Sequence, residues 1–321
     1  MTLDDFLTEW NNADDRLLVH TSGSTGKPKP MMVEKARMLN SARITCDFLG
    51  LKPGDTALLC MSLDYIAGKM MVVRSIERGL RLVSVKPSGH PLSDDSLGDV
   101  DFAAMVPMQV YNSLQIPEER ERLNRIKHLI IGGGAIDDAL AAELSVMPNA
   151  VWSTYGMTET LSHIALRRLN GKDASEWYQP FDSVKVSVNE EGCLVINAPL
   201  VCPDTLVTND IVEIKEGKFR IKGRKDNVIC SGGIKIQIEE VESLLRSHLT
   251  APFMLAKKKD GKFGEIAVLV TEADDLVSVE QVCRQVLPKY WVPREYLHVA
   301  KLPMTETGKP KRCIFSSSET L

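Results

Sequence analysis

The chain lacks any paired-cysteine signature: its seven cysteines stand singly at 46, 60, 193, 202, 230, 283 and 313, with no C-x-x-C among them. An odd, scattered set of thiols argues against a disulfide framework or a zinc site and predicts reduced, mostly buried cysteines. No apolar run approaches the ~18 residues of a membrane span, so no membrane insertion is expected. Positive charge is not in excess either. There are 39 Lys and Arg against 43 Asp and Glu, a net charge of −4 and a pI near 5.9. That balance speaks against nucleic acid or an anionic membrane surface as a partner. The opening residues Met1-Thr2-Leu3-Asp4-Asp5 are acidic and lack the basic-then-apolar pattern of a signal peptide, so the expected compartment is cytoplasmic. Internal repeats are absent. The 321 residues, 44% hydrophobic and 26% charged, suffice for two domains with cores of their own.

What is present is concentrated first in His20-Thr21-Ser22-Gly23-Ser24-Thr25-Gly26-Lys27-Pro28-Lys29-Pro30. It follows the apolar run Leu17-Leu18-Val19 and is too polar and too broken by Gly and Pro to be helix or strand. It reads as a loop hung from a strand end. Glycines admit an anion close to the backbone, hydroxyls and amides donate to phosphate oxygens, and lysines add charge. The pattern is not the G-x-x-x-x-G-K-[ST] of P-loop NTPases, because Gly23 and Gly26 are separated by two residues and Pro28 follows Lys27. Taken alone, the string is also compatible with a flexible Ser/Gly linker.

Periodicity then predicts alternating strands and helices. Apolar residues at 38, 39, 42, 46 and 49 predict a helix over 34–48, stopped at Gly50. The run 56–61 reads as a strand buried on both faces, 66–78 as a helix and 80–85 as a strand. Strands follow at 102–106, 127–131 and 150–154, with helices at 108–114 and 137–145. This alternation predicts a doubly wound parallel α/β sheet, with ligands beyond the carboxyl ends of its strands. Two strand ends carry unusual residues: Gly132-Gly133-Gly134-Ala135 and Tyr155-Gly156-Met157-Thr158-Glu159-Thr160. The glycines fail the dinucleotide pattern; they either let a flat base lie on the backbone or make a tight turn capped by Asp137 or Asp138. Short alternating runs at 183–188, 193–197, 211–215 and 218–221 predict an antiparallel β unit. Gly223-Arg224-Lys225-Asp226-Asn227 reads as a hinge, dividing a domain of 1–223 from a small α+β domain of 224–321.

Several motifs now fall in the order used by the adenylate-forming superfamily of acyl-CoA synthetases, peptide-synthetase adenylation domains and luciferases. The phosphate loop resembles that family's signature loop. Residues 155–159 (YGMTE) resemble its Y-G-x-T-E, Val207-Thr208-Asn209-Asp210 its Y-x-T-G-D, Gly223-Arg224-Lys225-Asp226 its G-R-x-D, and 305–309 (TETGK) its T-x-x-G-K. Residues 231–236 (SGGIKI) stand at its Gly-rich turn. Within the superfamily the chain is most similar to o-succinylbenzoate-CoA ligases of menaquinone biosynthesis, on the strings at 64–71, 130–137, 155–166 and 223–236. It departs in ending the phosphate loop with Pro30 where the family has glycine, in Asn209 before the aspartate, and in the short stretch before the loop. The last departure leaves open a trimmed domain or one completed by a partner, with a homodimer possible.

The resemblance implies a truncated doubly wound N-terminal domain and a mobile C-terminal lid. It also implies ATP, Mg²⁺ and CoA acting with a small carboxylic acid: acyl-adenylate forms first, then thioester. Thr21, Ser22, Gly23, Ser24, Thr25, Gly26 and Lys27 would hold the β- and γ-phosphates, Thr158 the α-phosphate and Glu159 the Mg²⁺. Glu159 could instead be a helix-start residue. Tyr155 and Gly156, with Gly133, Gly134 and Ala135, would flank adenine; Asp210 would take the ribose hydroxyls. Arg224 would reach ribose or phosphate, or serve as a solvated hinge charge. Lys309 would be the catalytic lysine, against the alternative of an exposed tail charge. Gly232 and Gly233 would line the pantetheine tunnel, and Asp226 would be the pivot. Tyr65, Lys69, Arg74, Ser162 and His163 would surround the acid, although Lys69 and Arg74 could be solvated helix charges. Another aryl- or acyl-CoA ligase, a stand-alone adenylating enzyme and a catalytically degenerate nucleotide-binding regulator remain alternatives.

Overall fold

The structure, a computed structural model, describes residues 1–20, 30–134, 136 and 138–304. The chain forms two compact units. The first comprises Met1–Ser187, Val195–Leu206 and Ile214–Arg220, and the second Val188–Leu194, Val207–Glu213 and the chain from Ile221 on.

The first unit opens with α1 (Leu3–Trp10) and the antiparallel pair β1 (Arg16–His20) and β2 (Pro30–Glu34). His20 faces Pro30, so the ends of this ribbon bracket the Gly-rich stretch. Pro30 forfeits its N–H at a strand start, where that costs little. Then follow α2 (Lys35–Leu49), β3 (Thr56–Leu59), α3 (Ile66–Arg78), β4 (Arg81–Ser84), β5 (Phe102–Met105), α4 (Pro107–Gln115), α5 (Pro117–Arg125), β6 (His128–Ile131), α6 (Asp138–Ser145), β7 (Ala150–Gly156), β8 (His163–Arg168) and β9 (Gln179–Pro180). Their sheet has the order β4-β3-β5-β6-β7-β8-β9. The pairings from β4 to β7 are parallel, and β8 and β9 add on antiparallel. The expected doubly wound sheet is therefore present. Every residue of β3 and of β5 is buried, as strands covered by helices on both faces must be. One core cluster joins Leu58, Ala103, Leu129 and Val151 of the sheet to Val110, Leu123 and Leu144 of the helices.

The expected antiparallel unit is β10 (Lys185–Val188), β11 (Cys193–Asn197), β12 (Leu206–Lys215) and β13 (Lys218–Arg224), side by side in chain order. The division between the units passes through these strands.

The second unit continues with β14 (Val228–Ser231), β15 (Ile234–Gln237), α7 (Ile238–Arg246), β16 (Phe253–Asp260), β17 (Gly264–Thr271), α8 (Leu276–Val286) and β18 (Glu295–His298). The sheet runs β15-β14-β17-β16, with β18 parallel to β17. Ile229, Ile236, Val241, Leu245, Leu255, Leu269 and Cys283 make its core with α7 and α8. Gly232 (φ +57°) and Gly233 (φ +85°) close the β14–β15 hairpin; two successive left-handed positions are what a tight primed turn demands.

Among the described cysteines, 46, 60, 193, 202 and 283 are buried free thiols and Cys230 is exposed. No described helix is long and apolar enough to cross a membrane.

Candidate active site

Register puts two unusual strand ends next to each other. Ile131 of β6 faces Ser153 of β7, so the glycines after β6 lie beside the last residues of β7. A Cβ on Gly132 would stand 2.3 Å from Thr154 Oγ1, and one on Gly134 3.4 Å from the Pro107 ring. At Gly132 a side chain would have to displace Thr154, whereas at Gly134 it would make near-ordinary contact. Tyr155 is 8% exposed, its ring 5.0 Å from Phe219 and 5.9 Å from Tyr178 edge to face. Tyr178 is itself pinned by a 2.8 Å hydrogen bond with Ser153.

The turn from β7 to β8 carries the densest chemistry. At Gly156 any side chain would strike Ser162 O at 2.3 Å and His163 Cα at 2.4 Å, because the two strands close directly on it. Thr158–Thr160 forms one tight 3₁₀ turn. The Thr160 hydroxyl accepts from Met157 N (3.0 Å) and has the Ser162 and Met157 carbonyls within reach (2.7 and 3.0 Å), the nearer one, Ser162, taking its single proton. Leu161 is held at φ +65°, ψ −35°, outside the regions a branched residue prefers, while its side chain is 2% exposed. Such a conformation costs on the order of 1–3 kcal/mol and persists only where its surroundings over-determine it. The turn has two faces. Thr158, 5% exposed, and exposed Glu159 lie at the strand end, while Ser162 is turned inward.

Inward, Ser162 meets Arg74 of α3. Arg74 is 2% exposed; its Nη2 donates to Ser162 Oγ at 2.5 Å and its Nη1 lies 3.8 Å from Met71 Sδ. Its Nε has no partner, and no described carboxylate pairs with it. Burial lowers the guanidinium to about 10, so it is a cation at neutral pH. The neighbouring Cys46 thiol, pushed by burial up to about 11, supplies no counter-charge. His163 is buried against Ser162 (Nδ1, 3.2 Å) and Thr45 (Nε2, 3.1 Å). Burial first, and the Arg74 charge second, hold its pKa well below 6.5, so the ring is neutral. A buried cation with no counter-ion among the described residues is costly.

Lys69, five residues earlier on α3, points elsewhere. Its Nζ donates to the Leu18 carbonyl at 3.2 Å and lies 5.7 Å from the Phe6 ring centroid, which ties α3 to β1 and α1. Burial lowers its pKa, opposed by Glu9 and Asp64. Tyr65 precedes α3 and is 56% exposed. Sequence reasoning missed Thr45 and Leu161: a threonine inside a helix and a leucine in a turn carry no motif.

Asp210, Arg224, Asp226, Gly232 and Gly233 belong to the second unit. Arg224 bridges two carboxylates, Asp210 Oδ1 and Asp226 Oδ2, each at 3.0 Å. The Asn209 amide donates to both oxygens of Asp226 at 3.3 and 3.1 Å. A Cβ on Gly223 would stand 2.3 Å from Gln237 Nε2, so the ends of the Gln237 and Glu239 side chains would have to move aside. Gly232 and Gly233 form the hairpin tip, where Gly232 N donates to the Phe263 carbonyl at 2.8 Å. Thr21, Ser22, Gly23, Ser24, Thr25, Gly26, Lys27, Ala135 and Lys309 lie outside the described residues.

The described residues contain no cluster of three or more His, Cys, Asp and Glu able to cage a metal alone. A lone exposed carboxylate such as Glu159 suits instead a hard, mostly hydrated cation that takes its remaining oxygens from phosphate and water.

Comparison with known proteins bears on the same regions. The sequence profile of the family described as AMP-binding enzyme matches residues 4–198. The chain is 29% identical over 297 residues to a 2-succinylbenzoate–CoA ligase of Salmonella typhimurium, covering 86% of this chain and 63% of that one. It thus spans less than two thirds of that relative's length. An acyl-CoA synthetase (AMP-forming)/AMP-acid ligase II-like protein from Dyadobacter fermentans superposes with a TM-score of 0.68 at 36% identity, covering 96% of this chain and 90% of that one. O-succinylbenzoate coenzyme A synthetase from Bacillus subtilis, solved with ATP and magnesium ion, shares the fold at a TM-score of 0.73 and 24% identity, over 92% of this chain and 68% of that one. With the profile match spanning more than half of its residues, the chain belongs to the AMP-binding enzyme family, within the adenylate-forming superfamily.

Proposed function

We propose that the protein is an AMP-forming acid–CoA ligase that activates o-succinylbenzoate, a step of menaquinone biosynthesis. The observation that carries the substrate is Arg74: a buried guanidinium, hydrogen-bonded to Ser162 and unpaired with any described carboxylate. An acid with a second carboxylate supplies the missing charge, and benzoate or a fatty acid does not. The curated relatives named 2-succinylbenzoate–CoA ligase support the same reading.

Two half-reactions follow. The reacting carboxylate oxygen attacks the α-phosphorus of ATP, the bond to pyrophosphate breaks, and acyl-adenylate forms. The CoA thiolate then attacks the acyl carbon, and AMP leaves with the bonding pair. The protein's task is alignment and charge neutralisation, because carboxylate and triphosphate repel each other. Thr21, Ser22, Ser24, Thr25 and Lys27 hold the outer phosphates, with Gly23 and Gly26 giving them access to the backbone. Thr158 donates to the α-phosphate. Glu159 holds Mg²⁺, which neutralises phosphate charge when bound. Gly133, Gly134, Tyr155 and Gly156 receive adenine, Asp210 the ribose, and Arg224 holds Asp210 for that role. Lys309 brings its ammonium between attacking carboxylate and α-phosphate, the second unit moving about Asp226 to deliver it and then Gly232 and Gly233 for pantetheine.

The test is mass detection of acyl-CoA after incubation with Mg-ATP, CoA and o-succinylbenzoate, beside benzoate and a fatty acid. Product from o-succinylbenzoate alone is expected. Product from the monocarboxylates and none from o-succinylbenzoate contradicts the assignment, and no acid-dependent pyrophosphate release with any acid contradicts catalysis.

A further inference from the structure

The side chains behind Arg74 form a chain in which every proton can be assigned. Thr45 lies inside α2, fully buried, with Oγ1 3.1 Å from the Ser41 carbonyl and 3.1 Å from His163 Nε2. A carbonyl only accepts, so the Thr45 proton goes to Ser41 and its lone pair faces the imidazole. The neutral ring therefore carries its proton on Nε2. Nδ1 is left as an acceptor, and Ser162 Oγ, 3.2 Å away, donates to it. Arg74, which can only donate, then meets a Ser162 lone pair. Reversing the ring tautomer would take the Thr45 proton from Ser41 and turn two donors, Arg74 and Nδ1, onto Ser162. The ring is also wedged against Phe181, centroids 5.6 Å apart, which limits its rotation.

We propose that Thr45 and His163 are positioning residues: they fix Ser162 as an acceptor, and so hold the Arg74 guanidinium with its Nε–H edge presented to the second carboxylate of the acid. The inference rests on the functional reading above and deepens it, naming what sets specificity for a dicarboxylic substrate. Neither residue touches the reacting atoms. Each acts through the next, and the last link, Arg74, carries the charge of the relay. Because the relay ends on a backbone carbonyl of α2, it is anchored without a second charge, and the Arg74 cation has no counter-ion among the described residues.

Two measurements on the full chain test this. Long-range ¹⁵N–¹H spectra of the histidine rings, with His163 assigned by its loss in His163→Gln, are expected to show a neutral ring protonated on Nε2; a ring protonated on Nδ1 overturns the relay. Steady-state kinetics of Thr45→Val, which removes the acceptor while keeping the shape, are expected to show about a tenfold rise in KM for o-succinylbenzoate, the size expected for one lost hydrogen bond. The kcat and the KM for ATP are expected to stay within about twofold, and Thr45→Ser to restore the low KM. An unchanged KM in Thr45→Val, or a fall in kcat shared by both variants, overturns the proposal. Failure of the unsubstituted protein to form o-succinylbenzoyl-CoA overturns the functional reading itself, and that control separates the two failures.

Discussion

Arg74 in the first unit and Arg224 in the second make opposite use of the same side chain. Arg224 is 39% exposed and holds two carboxylates at 3.0 Å, whereas Arg74 is sealed from solvent and holds a hydroxyl and a thioether. An exposed, paired arginine is cheap, screened by water, and serves mainly to set geometry. A buried arginine with no carboxylate partner is held in place by packing against its own solvation preference. The comparison sets two environments side by side: the second unit arranges backbone and carboxylates with ion pairs, and the first holds a buried charge with no counter-ion among the described residues, beside a strained turn.

The sharpest break of this contrast is Lys309→Ala, which on the proposed mechanism lowers adenylation at least about 100-fold while leaving the Arg74 pocket untouched. Acid-dependent pyrophosphate release measures it. Gly156→Ala comes next: its Cβ would meet backbone at 2.3 Å, so the turn must shift, with adenylation falling about tenfold or more and thermal stability dropping by about 1–3 kcal/mol, read by denaturant unfolding.

Acid pH sharpens the comparison further. The His163 pKa is lowered on folding, so the unfolded chain takes up a proton there that the folded chain refuses. Its contribution is complete above its ordinary value of 6.5 and is lost as pH falls below it, at up to about 1.4 kcal/mol per pH unit. Comparing urea midpoints between pH 7 and 5 for the unsubstituted chain and His163→Gln checks this, the variant being expected to show the shallower decline. The smallest effect belongs to Arg224: Arg224→Ala should change stability by only about 1 kcal/mol, because the guanidinium and Asp226 are exposed to water, although the Asp210 carboxylate is half-buried.

Much of the fold was legible because its elements follow simple periods. Helix α3 was predicted at 66–78 and occupies Ile66–Arg78, since apolar spacing and Gly79 define both ends. The buried strands β3 and β5 announced themselves as apolar runs. Strand β16 did not: Lys257-Lys258-Lys259-Asp260 looks like a solvated loop, yet it is held as strand by its full antiparallel register with β17 and by the Lys258 pair with Glu295. Helix α5 was missed because it is almost wholly polar; it docks through Leu123 and through Glu119, which accepts from Ser113 and pairs with His90. In the site, motif spacing singled out Thr158, Glu159 and Asp210. The environment of Arg74 was beyond it, because burial of a helix arginine depends on a turn nearly ninety residues away, and the sequence reading left Arg74 divided between pocket and surface.

The central claim is that Arg74 is the counter-ion of a second carboxylate. Titration calorimetry of o-succinylbenzoate, and of an analogue with that carboxylate as its amide, against the unsubstituted chain and Arg74→Met tests it directly. The account predicts that the substitution weakens the diacid about 100-fold, the worth of charge-assisted hydrogen bonds totalling about 3 kcal/mol, leaves the amide nearly unaffected, and keeps or raises the melting temperature because a buried charge has gone. Equal loss for diacid and amide, or none for either, would contradict it.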